Sequence, residues 1–184
     1  MEELEDYSGP LRPDVKCEDF SKETLAKLLQ AYCRELLPID TCWQEQMRER
    51  LGEESARECL IENCCRIGKH EMKWTLDALN IQGNDLEAYV KANQFVPSFA
   101  QGIYGYDWEL KDKKHAILTV RHCPAFAALK KNVEKLDWVC QVLEDAAINA
   151  YTEAINPDIE VKALQVGFKG EPDEIDCKWE FKLD

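Results

Sequence analysis

The sequence predicts an α+β fold: a helical layer of about four N-terminal helices packed on a four-stranded antiparallel sheet, itself two hairpins separated by a helix. Three observations predict it. Apolar residues recur at three- and four-residue steps through the first half of the chain. The period switches to two near Gly102 and again near Leu164. Between those alternating stretches, Leu136 to Ala154 returns to helical spacing. Helices first and hairpins afterwards is the pattern of segregated α+β layers.

Residues 1–20 are acidic and carry Pro10 and Pro13, which reads as a flexible arm ahead of a single domain over 21–184. Ser21 can cap a first helix in which Leu25, Leu28, Leu29, Tyr32, Cys33 and Leu36 share a face, ending before Pro38. A second helix is predicted from Asp40, with Trp43, Met47 and Leu51 at four-residue steps and Gly52 as its break. From Glu53 to Leu79 the stripe Ala56, Leu60, Cys64, Ile67, Glu71, Trp74, Ala78 predicts a long third helix. Gly83 and Asn84 supply a turn, and Asn84 to Glu87 resembles a capping box for a fourth helix reaching Phe95.

Tyr104, Tyr106, Trp108 and Leu110 then alternate with polar or small residues. The charged turn Lys111 to Lys114 leads into a second strand, His115 to His122. Pro124 suits the first turn of a helix, which puts Cys123 at its N-cap. In the following helix Leu136, Cys140, Leu143, Ala147, Ala150 and Ala154 lie on one face, and Asn156-Pro157 stops it. Leu164, Val166 and Phe168, a turn at Gly170 and Pro172, and Cys177, Trp179, Phe181 and Leu183 make the closing hairpin.

Composition bounds the function. With 184 residues, 45% hydrophobic and 32% charged, the chain can bury a core and is too apolar to be disordered. Its net charge of −13, without a dense basic run, disfavours nucleic acid as a partner. The start lacks a basic and apolar leader, and no stretch approaches the roughly 18 apolar residues of a membrane span. Nine cysteines, an odd number without scaffold spacing, suit reduced thiols and a cytoplasmic protein, as in many anaerobes. A homo-oligomer is compatible with all of this.

The His122-Cys123-Pro124 step concentrates the site chemistry. A thiol at a helix N-terminus meets free N–H groups and the positive end of the helix dipole, which predicts a lowered pKa, and His122 adds a base, a ligand or a proton donor. Adjacent strand side chains point to opposite faces, so the two share a site only if the chain turns at Pro124. Cys140 and Cys177 project inward by periodicity. With Cys123 and His122 they could hold zinc or another soft transition metal, or pack as small hydrophobes. Cys17, Cys33, Cys42, Cys59, Cys64 and Cys65 read as packing residues. Asp40 is either a helix-starting carboxylate or one facing a pocket walled by Trp43, Trp74 or Tyr106. Glu71 interrupts an apolar stripe, either at a helix edge or buried where it exchanges protons. His70 and His115 read as surface residues.

Asp40-x-x-Trp43, Gly52 before a long helix, Cys123-Pro124, Cys140, Ile155-Asn-Pro157 and the terminal Cys177-Lys-Trp179-Glu-Phe181 together resemble the L-2-amino-thiazoline-4-carboxylic acid hydrolase-like family over residues 22–184. Related small cytosolic proteins of anaerobic prokaryotes are as close. The Cys-x-Trp-x-Phe ending is also similar to the 4-vinyl reductase domain family, whose small domains bind hydrophobic ligands or support tetrapyrrole metabolism. The hydrolase resemblance implies that Cys123, Cys140 and Cys177 are shared thiols, with His122 and Asp40 beside them.

Two functions follow as expectations. One is a hydrolase opening a C–N or C–S bond in a small sulfur- or nitrogen-containing acid, with Cys123 as nucleophile or metal ligand and His122 as proton carrier. The other is a non-catalytic sensor or carrier whose pocket, lined by Tyr104, Tyr106, Trp108 and Trp179, holds an apolar ligand or a metal cofactor. An interaction protein without a small-molecule site is the third.

Overall fold

The computed structural model describes residues 3–100, 102–167 and 175–184. It is α+β, as the changing period predicts, with the helices mostly N-terminal and a four-stranded antiparallel sheet. Residues ahead of the first helix lie against its start: Leu4 bridges Phe20, and Ser21, the N-cap, donates its hydroxyl to Glu5.

Helix α1 runs Lys22–Leu51 in one piece, which corrects the two helices expected on either side of Pro38. Proline deprives the Arg34 carbonyl of its helical donor. The apolar face nonetheless continues across it, because Cys33, Leu36 and Leu37 before Pro38 and Ile39 and Trp43 after it all line one cavity. Tertiary packing of that face outweighs the missing bond. The Thr41 hydroxyl also donates to the Leu37 carbonyl at 2.9 Å. Asp40 is therefore an interior helix residue and not a cap.

Gly52, at φ 83°, takes the left-handed region that other residues avoid and separates α1 from α2, Glu53–Leu79. Helix α2 buries Ala56, Leu60, Gly68, Glu71, Met72 and Thr75. Helix α3 is Leu86–Asn93, capped by Asp85, whose side chain accepts from Ala88 N–H at 3.0 Å; the cap thus falls one residue beyond the expected Asn84.

Strands β1, Gly105–Asp112, and β2, His115–His122, form the first hairpin, and β3, Ile159–Gln165, pairs with β4, Cys177–Leu183. The sheet order is β1-β2-β4-β3, so β4 joins the two hairpins. Phe168, Gly170 and Pro172, expected in the second hairpin, lie outside the described residues. Between the hairpins run α4, Pro124–Leu129, and α5, Val133–Trp138, then a π-helical turn, Val139–Leu143, and α6, Glu144–Glu153. The single helix expected over Leu136 to Ala154 is thus widened by one π turn, a feature frequent at functional sites.

The register explains the core. Leu118 stands opposite both Trp108 and Trp179, and Ala116 opposite both Leu110 and Phe181, so one face of the sheet carries a continuous apolar row. Against it pack Met72, Leu86, Tyr89, Ala92 and Val96 from the helical layer. A smaller cluster of Leu60, Val139 and Leu143 forms between α2 and the π turn. Among the described residues no helix is long and apolar enough to cross a membrane.

Candidate functional site

Between the two apolar clusters lies a cavity of about 320 Å³. Leu118, Val120 and Trp179 of the larger cluster and Val139 and Leu143 of the smaller both face it, so neither closes over it. Most of its wall is apolar. Its polar side chains include carboxyls, thiols, Tyr89, Tyr104, Tyr151, Ser98 and two asparagines, and no Lys, Arg or His lines it among the described residues.

The structure brings Cys123, Cys140 and Cys177 to this one cavity, together with Asp40, Glu71, Tyr104, Trp43 and Trp179. Trp43 stands at the opening, 58% exposed. Three expected wall residues are elsewhere. Trp74 is 64% exposed and stacks on His70 across the outer face of α2. Trp108 packs in the core against Tyr89 and Phe181. Tyr106 stacks on Phe99 at 4.3 Å and donates its hydroxyl to the Gln94 carbonyl. Each lies on the predicted secondary element, but the cavity runs past it.

His122 is not brought to Cys123. Strict alternation would place His122 on the inner face with Leu118 and Val120, and Cys123 outside. The β1–β2 register slips there, because Tyr106 opposes Val120 while Gly105 opposes His122. Arg121 is the extra residue of a bulge, and such an insertion reverses the alternation beyond it. His122 therefore turns to solvent and Cys123 turns in. The Cys123 N–H donates to the Asp176 carboxylate at 2.6 Å, which ties this corner to the start of β4.

The thiol chemistry is the reverse of the sequence expectation. Cys123 does sit at the N-cap of α4, where the Ala125 and Phe126 N–H groups favour its thiolate. Burial outweighs them, and with the Glu144 charge it pushes the thiol up to about 12. Burial likewise raises Cys140 to about 11 and Cys64 to about 12, and it raises Cys177. These are protonated thiols at neutral pH. Among the described residues no three His, Cys, Asp or Glu side chains converge as a metal site requires. The set Cys123, Cys140, Cys177 and His122 expected for zinc or another soft metal is thus not assembled.

Two carboxyls take the thiols' place. Asp40, which accepts a hydrogen bond from Gln44, has its pKa raised by burial despite that bond. Glu144 was not among the expected site residues. It opens α6 directly after the π turn, and burial, then the Asp40 charge, pushes it up to about 7. Its carboxyl group accepts no hydrogen bond and meets no cation among the described residues. The signal for it lay in the spacing, since Glu144 is four residues after Cys140 on the apolar face of that helix. Glu71, only 6% exposed, is the opposite case: its carboxyl group accepts from Ser98 N–H at 3.3 Å, Ser98 Oγ at 2.7 Å and the Tyr151 hydroxyl at 2.5 Å.

Fold and site define an α+β protein with an apolar cavity set between helices and sheet and lined by carboxyls and protonated thiols. The chain belongs to a family of unknown function, DUF6125, which it matches over residues 18–183. No curated protein and no solved structure matches it.

Proposed function

We propose that this protein is a carrier or sensor that binds a small, largely apolar molecule in the cavity between its helical layer and its sheet. The observation that carries the proposal is the cavity itself, about 320 Å³ with a mostly apolar wall. Protein interiors pack at the density of organic crystals, so an apolar space of this size forfeits contacts that a ligand restores. The similarity of the closing strand to the 4-vinyl reductase domain family supports the same reading, since Cys177 and Trp179 of that strand form cavity wall. The test is a titration with the neutral fluorophore 1-aminoanthracene. One saturable site per chain is expected, and it should vanish in Ala147→Trp, which puts an indole into the cavity from α6. Unsaturable binding, or equal binding by the two proteins, would remove the cavity from the function.

A hydrolase is the second reading, favoured by one observation. Glu144, near 7, stands beside Asp40, so one carboxyl can hold a proton while the other accepts one. The resemblance to the L-2-amino-thiazoline-4-carboxylic acid hydrolase-like family points the same way, towards a C–N or C–S bond in a small sulfur- or nitrogen-containing acid. In a turnover screen of cyclic thioimidates and amides, this reading expects activity that survives Cys123→Ala and is lost in Glu144→Gln. Loss in Cys123→Ala instead would return the reaction to the thiol.

A further inference from the structure

We infer that the cavity selects a ligand with a basic nitrogen, an ammonium group seated between Asp40 and Glu144 while its apolar body lies against the rings and aliphatic side chains of the wall. The inference rests on the cavity being a ligand site and says which chemical class that site takes. Its first support is charge. Four carboxyl residues, Asp40, Glu71, Glu144 and Asp176, line the cavity, and no Lys, Arg or His among the described residues answers them there. Two of the four are already engaged, Glu71 by Ser98 and Tyr151 and Asp176 by the Cys123 N–H. Asp40 has a neutral amide as its partner, and Glu144 has none among the described residues.

Unpaired carboxylates in an apolar wall are costly, because burial disfavours the charged form unless an opposite charge or donors offset it. A ligand cation supplies that offset. An acid would add a third negative group to the Asp40–Glu144 pair, so the same charge balance opposes the acidic substrate that the hydrolase resemblance implies.

The second support is independent of the carboxyls. Asn93, at the end of α3, is 6% exposed and lines the cavity, and its Oδ1 has no hydrogen-bond partner among the described residues. Buried polar atoms are nearly always paired in native structures. An orphaned carbonyl oxygen asks for a donor, and the Asp40 and Glu144 carboxyls have no cation beside them on this wall among the described residues. The Asn93 Oδ1 and the Asp40 and Glu144 carboxyls are thus acceptors that a ligand bringing N–H donors would satisfy. The aromatic rings of Trp43, Phe126 and Tyr104 belong to the same wall, and aromatic rings suit a cation as well as an apolar body.

The experiment compares three probes of one shape by calorimetry at pH 8: tryptamine, neutral 3-ethylindole and indole-3-propionate. Tryptamine should bind at least about tenfold more tightly than 3-ethylindole and the acid least. In Glu144→Gln and Asp40→Asn the ratio of tryptamine to 3-ethylindole affinity should fall towards one, a readout that loss of fold would not produce. Equal binding of tryptamine and 3-ethylindole, preference for the acid, or an unchanged ratio in both variants overturns the cation site. Those results leave the cavity reading standing if 1-aminoanthracene still binds. Failure of all four probes overturns both.

Discussion

Two glutamates on helices that pack against each other line one cavity and are treated in opposite ways. Glu71, on α2, receives three hydrogen bonds, from Ser98 N–H, Ser98 Oγ and the Tyr151 hydroxyl, so its carboxyl group is part of the scaffold. Glu144, on α6, has burial and the Asp40 charge against it and no donor among the described residues. The same side chain thus cross-links α2, α6 and the Pro97–Phe99 turn in one place and is left open in another. A protein selected for stability alone would satisfy both or replace the open one by an apolar residue. The open carboxyl is where binding or proton transfer has room to act.

The largest test of this contrast is Glu71→Ala. It leaves the Tyr151 hydroxyl and both Ser98 donors without their acceptor inside the structure, and a loss of about 2–4 kcal/mol is expected in urea unfolding. A loss below about 1 kcal/mol would mean that Glu71 is no more structural than Glu144, and the contrast would break.

Glu144→Gln should act in the other direction and depend on pH. The folded pKa of Glu144, about 7, lies above its ordinary 4.5, so between those values the folded state holds a proton that the unfolded chain has released. The contribution to stability is complete below about pH 4.5 and is lost as pH rises through 7. The wild-type protein should therefore weaken from pH 5 to pH 8 at this site, and Gln should remove that slope. At pH 8 the variant is expected to be more stable by about 1–3 kcal/mol, with the two proteins alike near pH 4.5. Parallel stability curves for the two proteins across that range would show that Glu144 carries no strained charge.

Much of the secondary structure was legible in the residues because it is written in local spacing. The stripe from Ala56 to Ala78, which marks the helix although its later part buries Gly68, Met72 and Thr75 in place of Ile67, Trp74 and Ala78, and the alternation of Ala116, Leu118 and Val120 need only near neighbours to be read. Pro38 misled, because a single breaker is a local signal and the packing of α1 on the cavity side of α2 overrides it. The three inward cysteines were legible as helix or strand faces, and they do share one cavity. The aromatic wall was only half legible. Trp43, Tyr104 and Trp179 reach the cavity, whereas Trp74, Tyr106 and Trp108, equally periodic, pack elsewhere, since periodicity gives a face and not a neighbour.

The sequence by itself determined the α+β class, the two hairpins, the placement of Cys123 before Pro124 and the acidic balance of the chain, all of them properties of composition or of residues a few positions apart. Only the tertiary structure decided that Asp40 and Glu144, more than a hundred residues apart in sequence, stand near enough for one charge to shift the other. It alone decided which of His122 and Cys123 faces the cavity, through a bulge that shows only when β1 is laid against β2. It also reversed the expected acidity of the thiol. A helix terminus acts on its own first turn, whereas the desolvation that overcame it is the sum of every element closed around Cys123.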